Sequence, residues 1–135
     1  MKSKRLNIFT PSKKYLTAEI VYLNFSNGKY RLGITPNHAP IISSVDICII
    51  TIKMKDNHEF SYTVSGGIIY VEKENITLLV NSIERSDEID LNRAIEAKKR
   101  AEEKLLNKDI YDQKRANLSL LRAVNRISLA TKNIK

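Results

Sequence analysis

Paired cysteines and long apolar runs are both missing from this chain of 135 residues. Cys48 is the single cysteine, so no disulfide can form within the chain, and its isoleucine neighbours predict a buried, unreactive thiol. No apolar run exceeds the four residues of Ile47-Cys48-Ile49-Ile50, whereas a membrane-spanning helix needs about 20. The basic N-terminus leads into no apolar stretch of signal-sequence length. We therefore expect neither export nor a membrane-spanning helix.

The sequence also lacks the motifs of enzymes and metal sites. It contains no Walker loop, no nucleophile elbow and no paired carboxylates at a catalytic spacing, so a catalytic function has little support. The two histidines and the single cysteine show no metal-ligand spacing.

Positive charge, by contrast, is in excess and unevenly placed. Residues 90–135 carry 12 Lys and Arg against 6 Asp and Glu, which places a net +6 of the formal +8 in the C-terminal third. Such a segment suits an anionic partner: nucleic acid, a nucleotide, a membrane surface or an acidic protein surface.

The first part of the chain, to about Val80, has the period of β-strands. Apolar and polar residues alternate over 50–55 and again over 59–64, and the polar break at 56–58 between them predicts a hairpin. Two further hairpins are predicted, one at the Asn27-Gly28 turn and one at 72–75. Many short strands without a helical period between them favour an antiparallel sandwich.

From Asp87 onward the composition and period become helical. Asp90 is the expected N-cap of a first helix, and a short polar connection at 107–109 leads to a second helix from about Ile110 to Thr131. The predicted fold is α+β: an N-terminal antiparallel β-sandwich at residues 1–86, then a C-terminal two-helix antiparallel hairpin at residues 87–135. The alanine-rich stripe of the first helix buries little surface, so we expect a hairpin that can rearrange.

Four short motifs occur in an order that resembles a known family. They are Leu32-Gly33-Ile34-Thr35-Pro36-Asn37-His38-Ala39-Pro40-Ile41, Ser65-Gly66-Gly67-Ile68, Ile76-Thr77-Leu78-Leu79 and Ile89-Asp90-Leu91-Asn92-Arg93-Ala94. Together they span most of the chain. By these motifs the chain resembles the epsilon subunits of rotary F-type ATP synthases.

The resemblance implies a non-catalytic rotor subunit of a bacterial, proton-translocating ATP synthase, peripheral at the cytoplasmic face of the cell membrane. Its sandwich would bind the gamma subunit and rest on the c-ring, with Arg31, His38 and Pro40 as the implied docking residues. Some relatives have an acidic residue where this chain has Arg31, so a charge pair there would be reversed or absent. For His38, a hydrogen bond that ties its own turn competes with proton transfer. No Asp, Ser or Cys beside it suggests a relay, which favours the first.

Three arginines form a stripe on the predicted second helix. Arg115, Arg122 and Arg126 stand at i, i+7 and i+11, within about 40° of one line. One interpretation is a solvated face. A second, implied by the resemblance, is docking on an acidic segment of a beta subunit, with Leu118 and Leu121 as apolar anchors. A third is nucleotide binding.

The nucleotide interpretation also comes from the resemblance. The segment 89–94 is similar to the I/L-D-x-x-R-A motif of bacillus-type epsilon subunits, in which ATP holds the hairpin folded and relieves inhibition. Carried over, the implied ATP-binding residues are Glu84, Ile89, Asp90, Arg93, Ala94, Arg100, Arg115, Arg122 and Arg126. Guanidinium groups suit a polyphosphate, whereas an aspartate is equally expected as a helix cap. ATP is thus expected as a regulatory ligand, without a catalytic cofactor.

A nucleic-acid-binding module is the alternative if the resemblance is set aside, because a basic helical hairpin can grip phosphates. Tyr111 is the only aromatic residue in the C-terminal third, so bases would find no stacking platform among the arginines. We therefore expect protein partners rather than nucleic acid.

Overall fold

The structure is a computed structural model that describes residues 2–107 and 112–132. The strands are β1 (Lys4–Phe9), β2 (Lys14–Ser26), β3 (Arg31–Ile34), β4 (Ile41–Met54), β5 (Glu59–Val71), β6 (Asn75–Val80) and β7 (Ile83–Arg85). A short 3-10 helix (Ser86–Glu88) leads to α1 (Leu91–Leu106) and α2 (Gln113–Lys132). The predicted α+β fold, a β-sandwich followed by two helices, is confirmed.

The strands form one sheet that closes on itself. Its hydrogen-bonded order is β1-β6-β5-β4-β2-β3, and β1 also pairs with β2, while β7 pairs with β5. The neighbours run antiparallel except β1 and β6, which are parallel. The parallel pair is a departure from the expected pattern, and it arises because β1 closes the sheet between β6 and β2.

Alternating apolar residues of these strands fill the interior of the sandwich. The largest fully buried side chains there are Phe25, Leu6, Ile8, Ile20, Leu23, Ile34, Ile50, Ile52, Ile69, Ile76 and Leu78. Burying one such side chain stabilises the fold by roughly 1.5–3 kcal/mol. Cys48 is buried at the edge of this core, and burial raises the pKa of its thiol, as expected for an unreactive cysteine.

The three predicted hairpins are present. β2 and β3 are joined at Asn27-Gly28, where Gly28 has φ +96°, β4 and β5 at 55–58, and β5 and β6 at 72–75. β5 is longer than the pattern indicated, because it continues through Ser65-Gly66-Gly67. Gly66 has φ +104° in the middle of that strand, which few residues with a side chain adopt.

The two helices pack against each other through small side chains. Ala94 and Ala101 of α1 and Ala116 and Ala123 of α2 are buried, and α2 also contacts β4, β5 and the 3-10 helix. Asp90 caps α1 as predicted, since its side chain accepts a hydrogen bond of 3.1 Å from the Arg93 N–H. Neither described helix has both the length and the apolar character that a membrane crossing requires.

An aspartate caps the second helix at its described start. Its first residue is Gln113, and Asp112 Oδ1 accepts hydrogen bonds from the N–H groups of Lys114 and Arg115. An aspartate at this position supplies an N-cap. The predicted start at Ile110 lies outside the described residues.

Candidate functional site

A cleft of about 310 Å³ lies where α2 faces the sandwich. It is lined by Thr63, Val64 and Ser65 of β5, Ser82, Glu84 of β7, Ala97 of α1, and Ser119, Arg122, Ala123 and Arg126 of α2. The strands supply hydroxyls and one carboxylate, and the helix supplies two guanidinium groups. The site therefore joins the two halves of the chain.

An ion pair crosses this cleft. Arg126 Nε donates to Glu84 Oε1 at 2.8 Å, and Arg126 Nη2 donates to Glu84 Oε2 at 3.3 Å. The Arg126 side chain is 28% exposed and the Glu84 side chain 30% exposed. Two parallel charge-assisted bonds fix the geometry of a guanidinium and a carboxylate together. This pair ties α2 to β7 across 42 residues of sequence.

Arg122 lies one helical turn before Arg126 and lines the same cleft. Within residues 2–107 and 112–132, no carboxylate lies at ion-pair distance from Arg122. On the opposite wall Ser82 Oγ donates to Ser65 Oγ at 2.8 Å. An uncompensated guanidinium beside hydroxyl groups is an environment that accepts an anion.

The structure brings together three of the implied ATP-binding residues and separates others from them. Glu84, Arg122 and Arg126 line the cleft. The remaining residues do not line it; they are Ile89, Asp90, Arg93, Ala94, Arg100 and Arg115. Of these, Ala94 is buried, Ile89 is half-buried, and the three arginines and Asp90 are exposed. The ATP-binding set as a whole stays a prediction.

The implied docking residues lie on the sandwich. Arg31 Nη2 donates to Asn24 Oδ1 at 2.6 Å and to the Ile49 carbonyl at 2.5 Å, so its guanidinium is directed back onto β2 and β4. His38 Nδ1 donates to the Ala39 carbonyl at 2.6 Å, and the His38 N–H donates to the Thr35 carbonyl at 3.0 Å. Both bonds tie the turn in which His38 lies. Pro40 is exposed.

Sequence reasoning missed an apolar patch on the outer face of the sheet. Ile42 on β4 is 73% exposed, Ile68 on β5 42% and Leu79 on β6 41%. Ile68 pairs directly with Leu79, and Ile42 pairs with Tyr70. We call these four residues the outer patch. The signal was present as consecutive apolar pairs such as Ile68-Ile69, because adjacent strand residues point to opposite faces.

Among the residues that the structure describes, no group of three or more His, Cys, Asp or Glu side chains is placed to hold a metal ion.

Two family models together match almost the whole chain. Residues 3–86 match the ATP synthase delta/epsilon chain β-sandwich domain, and residues 87–131 match the ATP synthase delta/epsilon chain long α-helix domain. This chain belongs to the ATP synthase delta/epsilon chain family. The resemblance noted from the motifs is thereby confirmed.

Sequence identity to individual relatives supports the same family assignment. The chain is 40% identical over 100 residues to the ATP synthase epsilon chain of Pelotomaculum thermopropionicum, which covers 74% of each chain. It is 38% identical over 131 residues to that of Bacillus licheniformis, which covers 96% of this chain and 99% of the relative.

Solved structures share the fold at low sequence identity. A chain of the Euglena gracilis mitochondrial ATP synthase, in an OSCP/F1/c-ring assembly, has a TM-score of 0.83 at 13% identity and covers 98% of this chain and 81% of its own length. A chain of the central stalk/c-ring of the Tetrahymena thermophila mitochondrial ATP synthase has a TM-score of 0.63 at 14% identity, with coverage of 99% and 98%. At these identities the likeness shows a shared fold.

Proposed function

We propose that this delta/epsilon family chain is a non-catalytic subunit of the central stalk. Its sandwich joins the gamma subunit to the c-ring. Its hairpin restrains ATP hydrolysis, and ATP bound to the chain relieves that restraint. The observation that carries the proposal is the cleft between sandwich and α2, in which Arg126 bonds to Glu84 while no carboxylate of the described residues pairs with Arg122. A ligand that contacts both walls favours the hairpin in its seated position, here meaning packed on the sandwich.

Gamma docks on the outer patch in this proposal. A partner that covers Ile42, Ile68 and Leu79 removes apolar surface from water, which is the main driving force of permanent association. Pro40 lines one groove with Ile42 and Tyr70, so gamma on the outer patch also reaches Pro40. In this proposal the rest of the turn that holds His38 faces the c-ring. Support comes from the Tetrahymena relative in fold, which is described in a central stalk/c-ring assembly.

Polyphosphate chemistry fits the charges of the cleft. Arg122 and Arg126 present guanidinium groups from one face of α2, and a guanidinium binds phosphate oxygens through two parallel bonds. Because Arg126 already grips Glu84, a bound phosphate has to share or replace that carboxylate. Arg93 and Arg100 of α1 stand outside the cleft and reach the ligand only if it extends beyond the cleft.

Release of the hairpin would turn the same arginines outward. When α2 leaves the sandwich, Arg126 loses Glu84 and joins Arg115 and Arg122 as an uncompensated stripe. Leu118 and Leu121, 36% and 37% exposed, lie beside that stripe. An acidic segment of a beta subunit is the complementary partner, and this contact would block rotation in the direction of hydrolysis. The chain would act there as a peripheral subunit at the cytoplasmic face of the membrane.

Titration of the full chain with ATP by calorimetry tests the nucleotide step. Arg122→Ala and Arg126→Ala are each expected to weaken ATP binding about 10-fold to 100-fold, because each removes a charge-assisted contact worth roughly 1.5–3 kcal/mol. Lys99→Ala on the exposed face of α1 is the matched control, since it removes one positive charge outside the cleft.

The nucleotide step is wrong if the parent chain takes up no ATP, or if both arginine variants bind it as well as the Lys99→Ala control does. Equal weakening by all three substitutions would indicate attraction by net charge rather than a site.

A further inference from the structure

The segment between β7 and α1 is bonded to a distant strand. We call residues 86–90 the connector. Tyr15 of β2 donates its hydroxyl proton to Glu88 Oε1 at 2.7 Å, across 73 residues of sequence. The same carboxylate oxygen accepts the Arg85 N–H at 2.8 Å. One oxygen therefore ties the end of the 3-10 helix both to its own beginning and to the sandwich.

Tyr15 is well placed to remain a donor. Its ring meets the buried Tyr62 ring edge-on, with centroids 6.1 Å apart and planes at 90°. Burial, and then the bond to Glu88, raises the pKa of the Tyr15 hydroxyl above its ordinary value of 10.0. The hydroxyl thus stays protonated at physiological pH, and the rigid ring leaves it little freedom to turn away.

Movement of α1 is coupled to Glu88 through the connector. Asp90 caps α1 through the Arg93 N–H and so moves with the helix. Ile89, whose N–H donates to the Ser86 carbonyl at 3.3 Å, is then the one residue between the cap and Glu88. A hinge needs few residues, so α1 can leave the sandwich either through new backbone torsions at Ile89 or by drawing Glu88 with it. The Tyr15–Glu88 bond opposes the second route, because it has to break before Glu88 can move.

The other side of the connector faces the second helix. The 3-10 helix contacts α2 as well as β5, and Glu84, just before it, holds Arg126. The stretch 84–88 is therefore held at one end by α2 and at the other by β2. Because α1 and α2 pack together through small side chains, fixing the start of α1 also fixes where α2 lies on the sandwich.

We propose that the Tyr15–Glu88 hydrogen bond is a latch that holds the helical hairpin seated on the sandwich, independently of any ligand in the cleft. It deepens the proposed function, because it rests on the hairpin's movement between a seated and a released position. Breaking the latch raises the population of the released hairpin and leaves the sandwich intact.

Amide hydrogen exchange of the full chain in the absence of nucleotide tests the latch. In Tyr15→Phe, amides of α1 and α2 are expected to exchange about tenfold faster than in the parent, since the lost bond is to a charged group. Amides of β4 and β5 are expected to keep their rates. Tyr30→Phe is the matched control, because Tyr30 is 68% exposed.

Glu88→Gln provides a second variant that keeps an acceptor oxygen but removes its charge, so a smaller acceleration of the helical amides is expected. The latch is refuted if the helical rates of Tyr15→Phe equal those of Tyr30→Phe, or if helices and sandwich accelerate together. Failure of the parent to bind ATP would remove the nucleotide step alone, since the exchange result is obtained without ATP.

Discussion

Gly67 occupies a place where two strands approach too closely for a side chain. A Cβ built there would overlap the carbonyl oxygen of Leu79 and stand 2.8 Å from the Cα of Val80. Both are backbone atoms of β6, which can move only if the pairing of β5 with β6 is disturbed. The Gly-Gly pair of the second motif thus combines a positive φ at Gly66 with close backbone contact at Gly67.

Substitution of Gly67 by alanine is expected to lower the free energy of unfolding by about 3 kcal/mol, because the added methyl group overpacks a backbone contact. Gly33→Ala is the control. Its Cβ meets the Tyr22 hydroxyl at 2.6 Å, but that atom ends a movable side chain. Urea denaturation of both variants checks the difference. Similar midpoints for the two would show that β6 yields as easily as a tyrosine.

Single residues also show what sequence reasoning can reach. Asp90 was identified as a cap because capping depends on residues three apart, and Asn27-Gly28 because a hairpin turn is equally local. The bonds Glu84–Arg126 and Tyr15–Glu88 join residues 42 and 73 apart. No periodicity in one sequence encodes such pairs, so Tyr15 was missed, and Glu84 was named only through the family motif.

At the scale of elements, the helical hairpin is held by few large side chains. Alanines form most of its buried contacts, and Leu129 is its one large side chain that is fully buried within the described residues. Ile95, Leu118, Leu121 and Val124 stay partly exposed. The hydrogen bonds of the connector therefore contribute a larger part of the free energy that holds the hairpin on the sandwich than hydrogen bonds contribute to the stability of the sandwich, which has a large apolar core. That the hairpin can rearrange, as the thin apolar stripe indicates, stays a prediction.

Acid should loosen the hairpin through Glu88. The hydrogen bond from the Tyr15 hydroxyl holds the pKa of this carboxyl below its ordinary value of 4.5, and the hydrogen bond from the Arg85 N–H is the second cause. A lowered folded-state pKa means that Glu88 stabilises the fold above pH 4.5 and that this contribution is lost as the pH falls through the lowered value. Hydrogen exchange of α2 measured from pH 6 downward, corrected for intrinsic rates, should rise more steeply in the parent than in Glu88→Gln.

Glu96→Gln serves as the control for that comparison, because Glu96 is an exposed carboxylate on α1. Its acid dependence is expected to follow the parent. If Glu88→Gln followed the parent equally well, the carboxylate of Glu88 would not be the group responsible.

At the scale of the whole molecule, the two halves are expected to have separable tasks. A chain ending at Asp87 keeps the outer patch and the sandwich core, so it should still be captured by gamma, while ATP hydrolysis by the assembled enzyme rises. The full-length Ile68→Asp variant should lose capture instead, because a charge interrupts the outer patch. Hydrolysis should rise with that loss, since an uncaptured chain cannot act as a brake. Co-purification with gamma and steady-state hydrolysis measure the two outcomes.

Unchanged hydrolysis with the shortened chain would contradict a braking hairpin. Normal capture of Ile68→Asp would move the gamma contact to another face of the sandwich. The sequence alone does not show which face of the sandwich binds gamma, because that requires knowing which strands lie side by side.

The first strand gives the sandwich a mechanical property. β1 is bonded along its length to β2 on one side and β6 on the other, antiparallel to the first and parallel to the second. A force along this strand loads both rows of hydrogen bonds in shear, so many must fail at once rather than one after another. A subunit that turns with a shaft under load would resist being unravelled from its N-terminus.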